Sequence, residues 1–138
     1  MNDFQTIPPE IMGLLSHNGE TQREATFFSE LVKLADRIGM TDAQVYNAIG
    51  MNRSLWYRMR DNKDARTKKE NILKLVIVLQ LSFWEAFYLI ALAGYSFVPG
   101  VNKTDEVVAY CLFHKIFTPE SVDEMLYEKG CETLFNEA

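Results

Sequence analysis

Apolar residues recur at helical spacing in short runs separated by polar turns. Phe27, Phe28, Leu31, Leu34 and Ile38 share one helical face, and Gly39 ends it. Ile72, Leu75, Val76 and Leu79 line a helix from Lys68 to about Gln80, with Lys68, Asn71 and Lys74 on its outer side. Between Phe83 and Ala93 the pattern changes, because Phe83, Trp84, Phe87, Tyr88, Leu89, Ile90 and Leu92 surround the helix on nearly every side. Such a helix needs cover all round, from the carboxyl-terminal segment, a second subunit or both. Val107, Val108, Cys111, Leu112 and Ile116 mark a sixth helix opening at Asn102 or Thr104. Val122, Met125 and Leu126 mark a seventh that starts at Thr118 and Pro119, carries Glu120, Asp123 and Glu124 at its favourable end, and stops before Gly130. Leu134 and Phe135 tuck in at the terminus.

Local chemistry places the helix starts. Thr21 with Glu24, Thr41 with Gln44, Thr67 with Glu70, and Ser82 with Glu85 have the spacing of the reciprocal capping box, in which each side chain satisfies the other residue's amide. Gly94 closes the fifth helix, and Tyr95 to Gly100 crosses over through a Pro-Gly turn. The expected architecture is all-α: a compact helical bundle over residues 21–94, an amino-terminal arm over 1–20, and a carboxyl-terminal extension over 95–138 that packs two additional helices on the bundle. In the arm, Pro8, Pro9 and Glu10 open a helix with the apolar patch Ile11, Met12, Leu14 and Leu15, broken by His17, Asn18 and Gly19. It either folds back on the body or docks on another subunit; the sequence leaves both open.

The stretch Thr41 to Asn62, TDAQVYNAIGMNRSLWYRMRDN, reads as two short helices joined at Ile49, Gly50 and Met51. Asn52 caps the second helix. Leu55, Trp56 and Met59 fall on one side of it, and Arg53, Ser54, Tyr57 and Arg58 on the other. One face packs and the other is offered to a partner.

At Thr41, Gly50, Met51 and Asn52, and through the apolar positions Trp56 and Met59, the stretch resembles the Cro/C1-type (Xre-like) helix-turn-helix family of bacterial and phage regulators. The resemblance covers about residues 22–94 and implies a lambda-repressor-like fold. It also implies that the helix at about 52–60 lies in the major groove of double-stranded DNA. Carried onto this chain, Arg53, Ser54 and Arg58 would read base edges, with Asn52 and Lys63 near phosphates; the neighbouring cations Arg66, Lys68 and Lys69 are expected to neutralise further phosphates. Arg can take guanine O6 and N7 together, and Ser serves either strand. Tyr57 stands beside Arg53, where it touches a phosphate or a thymine methyl, or shields the bundle. Two positions depart from the family. Asp42 stands where a DNA-contacting Gln is common, and Arg60 stands where an acidic residue is usual.

Composition sharpens the picture through the distribution of charge. The chain of 138 residues is 48% hydrophobic with a net charge of −5, so it has the material for a core and no general basic coat. From Asn52 to Lys74 eight cations face three carboxylates, a local net of +5, while the remainder carries −10. A basic patch on an acidic body suits a small DNA contact surface. Cys111 and Cys131 form no CxxC pair, which suits a reducing cytoplasm. Cys111 and His114 lie three apart, but their spacing fits no zinc pattern, and the seven glycines form no phosphate or dinucleotide loop. The charges within Ile72 to Ala93 argue for core helices rather than a membrane span.

The expectation is a cytoplasmic, sequence-specific DNA-binding transcriptional regulator that needs no cofactor, catalyses nothing and inserts in no membrane. It would act as a homodimer, because one short recognition helix buries too little for useful specificity. The rival is an adaptor that keeps the fold but binds a protein partner, through the arm Ile11 to Leu15 or near Trp84.

Overall fold

The computed structural model describes residues 25–136, among which seven α-helices form and no strand does. They are α1 (Phe27–Arg37), α2 (Asp42–Ala48), α3 (Arg53–Asp61), α4 (Lys69–Val78), α5 (Phe83–Leu92), α6 (Lys103–Phe113) and α7 (Pro119–Glu128). The chain is therefore all-α. No described helix is long and apolar enough to cross a membrane. The arm, with its predicted patch at Ile11 to Leu15, lies outside the described residues.

The axis of the assembly is α4. Ile72, Leu73, Leu75, Val76 and Ile77 are all essentially inaccessible, as is Leu79 just after it. Around this axis α2, α5 and α6 pack directly, α1 joins α2, α3 and α5, and α7 packs against α6. The helix surrounded on every side is thus α4 rather than the expected α5. Leu73 and Ile77 are the reason, since they bury a second side of the helix, about 100° round from Ile72 and Val76. Asn71, expected outside, is buried too, and Lys74 is half-buried. On α5, Phe83 stacks against Phe113 of α6 with ring centroids 5.4 Å apart, so the carboxyl-terminal extension does supply cover there. Phe87 nevertheless stays 43% exposed. Its ring lies edge-on to Trp84 at 5.4 Å, so part of the aromatic surface is covered by its own neighbours.

Two of the predicted capping boxes form as expected, at Thr41 with Gln44 and at Ser82 with Glu85. Thr21 and Glu24 lie outside the described residues, and α1 begins after a different box, in which Thr26 and Ser29 satisfy each other's amides. The Thr67 box does not form. Lys68 is the cap residue of α4 and makes no side-chain capping bond, because the Thr67 hydroxyl is turned inward to accept from Asn71 Nδ2 at 2.7 Å. The Thr67 carbonyl accepts from the Tyr95 hydroxyl at 2.8 Å, which ties the crossover segment to the start of α4.

Leu134 is buried and Phe135 half-buried, as expected, for a reason the apolar pattern does not contain. The Asp123 carboxylate accepts backbone N–H groups of Leu134, Phe135 and Asn136 at 2.8 to 3.1 Å and draws the tail onto α7. A charged acceptor bonded to three amides is a strong anchor.

The contact between α1 and α5 is closed by Arg37 and Glu85. The guanidinium engages both carboxylate oxygens, with Nη2 to Oε1 at 3.1 Å, and Glu85 Oε1 also accepts from the Ser82 amide at 2.9 Å. Burial pushes the Glu85 carboxyl up, but the bonds to Arg37 and Ser82 outweigh it and hold the group below its ordinary value of 4.5. A carboxylate depressed by folding stabilises fully above the unfolded value and loses that contribution as pH falls through the folded one. Glu85→Gln is therefore expected to be less stable than the parent at pH 7 by about 1 kcal/mol. In thermal unfolding followed by circular dichroism, the gap should close as the pH is taken below the depressed Glu85 value.

Candidate nucleic-acid interface

The geometry of α2 and α3 follows from how their connection is made. Ile49 and Met51 are buried, while Gly50 between them adopts φ +69°, a conformation open to glycine at little cost. Lys74 of α4 donates to the Ile49 carbonyl at 3.2 Å, placing a cation at the carboxyl end of α2, where the helix dipole favours it. Asn52 Oδ1 accepts from the Ser54 and Leu55 amides at 2.6 and 3.3 Å, so α3 starts immediately after the turn.

The rotation of α3 is set by Trp56 and Met59, 0% and 3% exposed. The Trp56 ring lies edge-on to Phe28 of α1 at 5.2 Å and tilted against Tyr46 of α2 at 5.8 Å. Arg53, Ser54 and Arg58 consequently sit on the outer face and are exposed. Tyr57 is half-buried rather than fully outward. It packs edge-on to Tyr46 at 6.4 Å, with the Arg53 and Arg60 guanidinium carbons 5.7 and 4.7 Å from its ring centre. Two cations on one ring are held by its quadrupole, which restrains both arginines on the helix surface.

Arg60, absent from the predicted set, is the organising residue of this face. Its Nε and Nη2 donate to the two Asp61 carboxylate oxygens at 2.7 and 3.1 Å. The bond to Asp61 raises the Arg60 pKa further, against slight desolvation, and Tyr57 and Asp42 add to the rise. Asp61 is lowered in turn by its bond to Arg60. The partner that Arg60 engages directly is Asp61, its neighbour in the chain. The Arg60-Asp61 pair was visible in the sequence as an acidic residue beside a cation at the end of α3; the bidentate bond between them and the lean of Arg60 onto Tyr57 were not.

The remaining candidate cations separate into two groups. Lys63 and Lys68 are exposed in the segment between α3 and α4. Arg66 is exposed, but its Nη1 lies 3.4 Å from the Ala93 carbonyl and its guanidinium covers Gly94. Gly94 is favoured by its φ of +92°, and a Cβ there would only push aside the end of the exposed Arg66 side chain. Lys69 is a different case. Its ammonium is 2.8 Å from Asp105 Oδ2, and Asp105 on α6 is fully buried, so the lysine holds the extension onto the bundle. Asp105 Oδ2 also accepts from the Val98 amide at 2.9 Å, while Oδ1 has no hydrogen-bond partner. The signal for this was the cation at the wrong end of α4, where it opposes the helix dipole. What it answered, a carboxylate 36 positions away, could not be read from spacing.

Cys111 is buried, its Sγ 3.9 Å from Met125 Sδ, and burial pushes its thiol up to about 11. His114 is exposed, with its ring against Tyr110 at 4.0 Å. Among the described residues no three His, Cys, Asp or Glu side chains converge as a metal site would require. Comparison of the chain with protein-family models, with curated proteins and with solved structures finds no match.

Breaking a buried ion pair from one side leaves the other charge without compensation. Lys69→Met, which keeps most of the side-chain packing, is expected to cost about 3 kcal/mol. Asp105→Asn, which removes the buried charge and nearly preserves the shape, should cost less. Urea unfolding midpoints at neutral pH measure both, and equal midpoints for Lys69→Met and the parent would remove Lys69 from this structural role.

Proposed function

We propose that the chain is a sequence-specific DNA-binding regulator of Cro/C1 type, with α3 as the helix that enters the major groove. The observation that carries the reading is the division of α3. Its inner side is locked by Trp56 and Met59, and its outer side presents Arg53, Ser54 and Arg58 exposed on a short helix. Arg53 and Arg58 are the base-reading residues, each able to take guanine in a bidentate pair, and Ser54 reads beside them. Asn52 keeps its side-chain NH2 for a phosphate while its oxygen caps the helix. Lys63 and Lys68 neutralise phosphates, with Arg66 at the edge of the patch. Lys69 is left out of this set because Asp105 holds it.

Two copies acting together would place their recognition helices about 34 Å apart, on successive turns of one groove face. The second reading, a protein-binding module on the same fold, is favoured by the exposed carboxylates Asp61 and Asp64 beside the cations. They lower the net field that phosphates would meet.

Selection from a randomised duplex pool decides between them. Enrichment of a two-fold symmetric site is expected, with affinity falling steeply as salt rises. Arg53→Ala with Arg58→Ala should lose about 1 to 3 kcal/mol of discrimination per guanine contact, with circular dichroism unchanged. Failure to enrich any duplex at low ionic strength would overturn the DNA reading and turn attention to a protein ligand.

A further inference from the structure

The last helix carries a charge pattern that its own stability does not explain. Glu120, Glu124 and Glu128 stand four residues apart on α7, about 6 Å along its axis from one to the next, and all three are exposed. Like charges at that spacing weaken a helix, and Glu128 lies in the last turn, where the dipole opposes a carboxylate. None of the three forms an ion pair among the described residues. Beside this face runs a concavity of about 1190 Å³, between α7 and the tail that Asp123 anchors. Glu120, Glu124 and Glu132 line it together with Tyr127, which is 75% exposed, and half-buried Phe135. An exposed ring among carboxylates suits a cationic side chain, a guanidinium above all.

We infer that a second copy of this chain docks here, seating the basic surface of its α3 and of the segment after α3 in the groove. The chain itself supplies that complement: Arg53, Arg58, Lys63 and Lys68 are exposed and form no ion pair among the described residues. The two surfaces lie on different parts of the fold, since α3 packs on α1 and α2, and α7 packs on α6. No described ion pair joins them within one chain, so their attraction acts between chains. The contact is heterologous, one patch meeting a different patch, and builds head to tail instead of closing about a two-fold axis. It therefore differs from the side-by-side arrangement of two copies on a duplex. Any polyanion that takes the cations of α3, the proposed duplex included, competes with it. The association itself requires no DNA, and the inference stands if that reading fails.

Sedimentation velocity of the full chain, with no nucleic acid present, tests the contact. At about 10 mM ionic strength, where charges act over about 30 Å, the average mass should rise with concentration above that of one chain. At about 0.15 M, where their reach is about 8 Å, it should fall back. A single-chain mass at every concentration in low salt overturns the proposal. Glu120→Lys with Glu124→Lys should abolish the association, and so should Arg53→Glu with Arg58→Glu. Each pair of reversals moves the net charge of −5 by four units, to −1 and −9, so both variants stay acidic and overall charge gives them no attraction. An equimolar mixture of the two should associate again, because the natural α3 of one meets the natural α7 of the other. A mixture that stays monomeric, with the helicity of both variants unchanged, overturns the proposal. If the arginine pair disturbs α3, Lys63→Glu with Lys68→Glu takes its place in the same mixture. Tyr127→Ala, which changes no charge, should weaken the association, and association as strong as the parent's overturns the groove as the point of contact.

Discussion

The burial of one indole decides how this chain faces its surroundings. Trp56 is enclosed by Phe28 and Tyr46, rings from two other helices, and that contact fixes the rotation of α3 about its own axis. Rotated by one position, the helix would bury Arg53 or Ser54 and expose a large apolar ring, both costly. The outward display of Arg53, Ser54 and Arg58 is therefore a consequence of core packing, made before any ligand arrives. The enclosure has its own cost, because the indole N–H is buried without an acceptor.

The helices were legible because their signals are local. Thr41 and Ser82 lie three residues from the side chains that cap with them, and the apolar spacing of α1, α3 and α7 survives in the folded chain. The misreadings share a physical cause. Thr67 has the spacing of a cap but is one residue early and faces the core, where Asn71 competes for its hydroxyl. Asn71 and Lys74 look like solvent positions only if α4 has a solvent side, and whether it does depends on where α2, α5 and α6 pack. For the same reason the all-apolar look of α5 overstated its need for cover.

The candidate site shows the same division. Which residues of α3 face outward was readable from a period of 3.6 residues. Which cations remain available was not, since Lys69 answers Asp105 and Arg66 leans on Ala93, both more than 25 positions away in the chain. The basic patch counted along the sequence is thus larger than the one the fold presents. Long-range charge pairing, invisible to a window, redistributes it.

The bond from Lys74 to the Ile49 carbonyl has a thermodynamic implication. It joins the turn between α2 and α3 to the most deeply buried helix of the fold, so this turn cannot pivot without disturbing the core. A surface held in this way loses little conformational freedom when it meets a ligand. Its association should therefore show a heat-capacity change set by the contact area alone, without the excess that accompanies coupled folding.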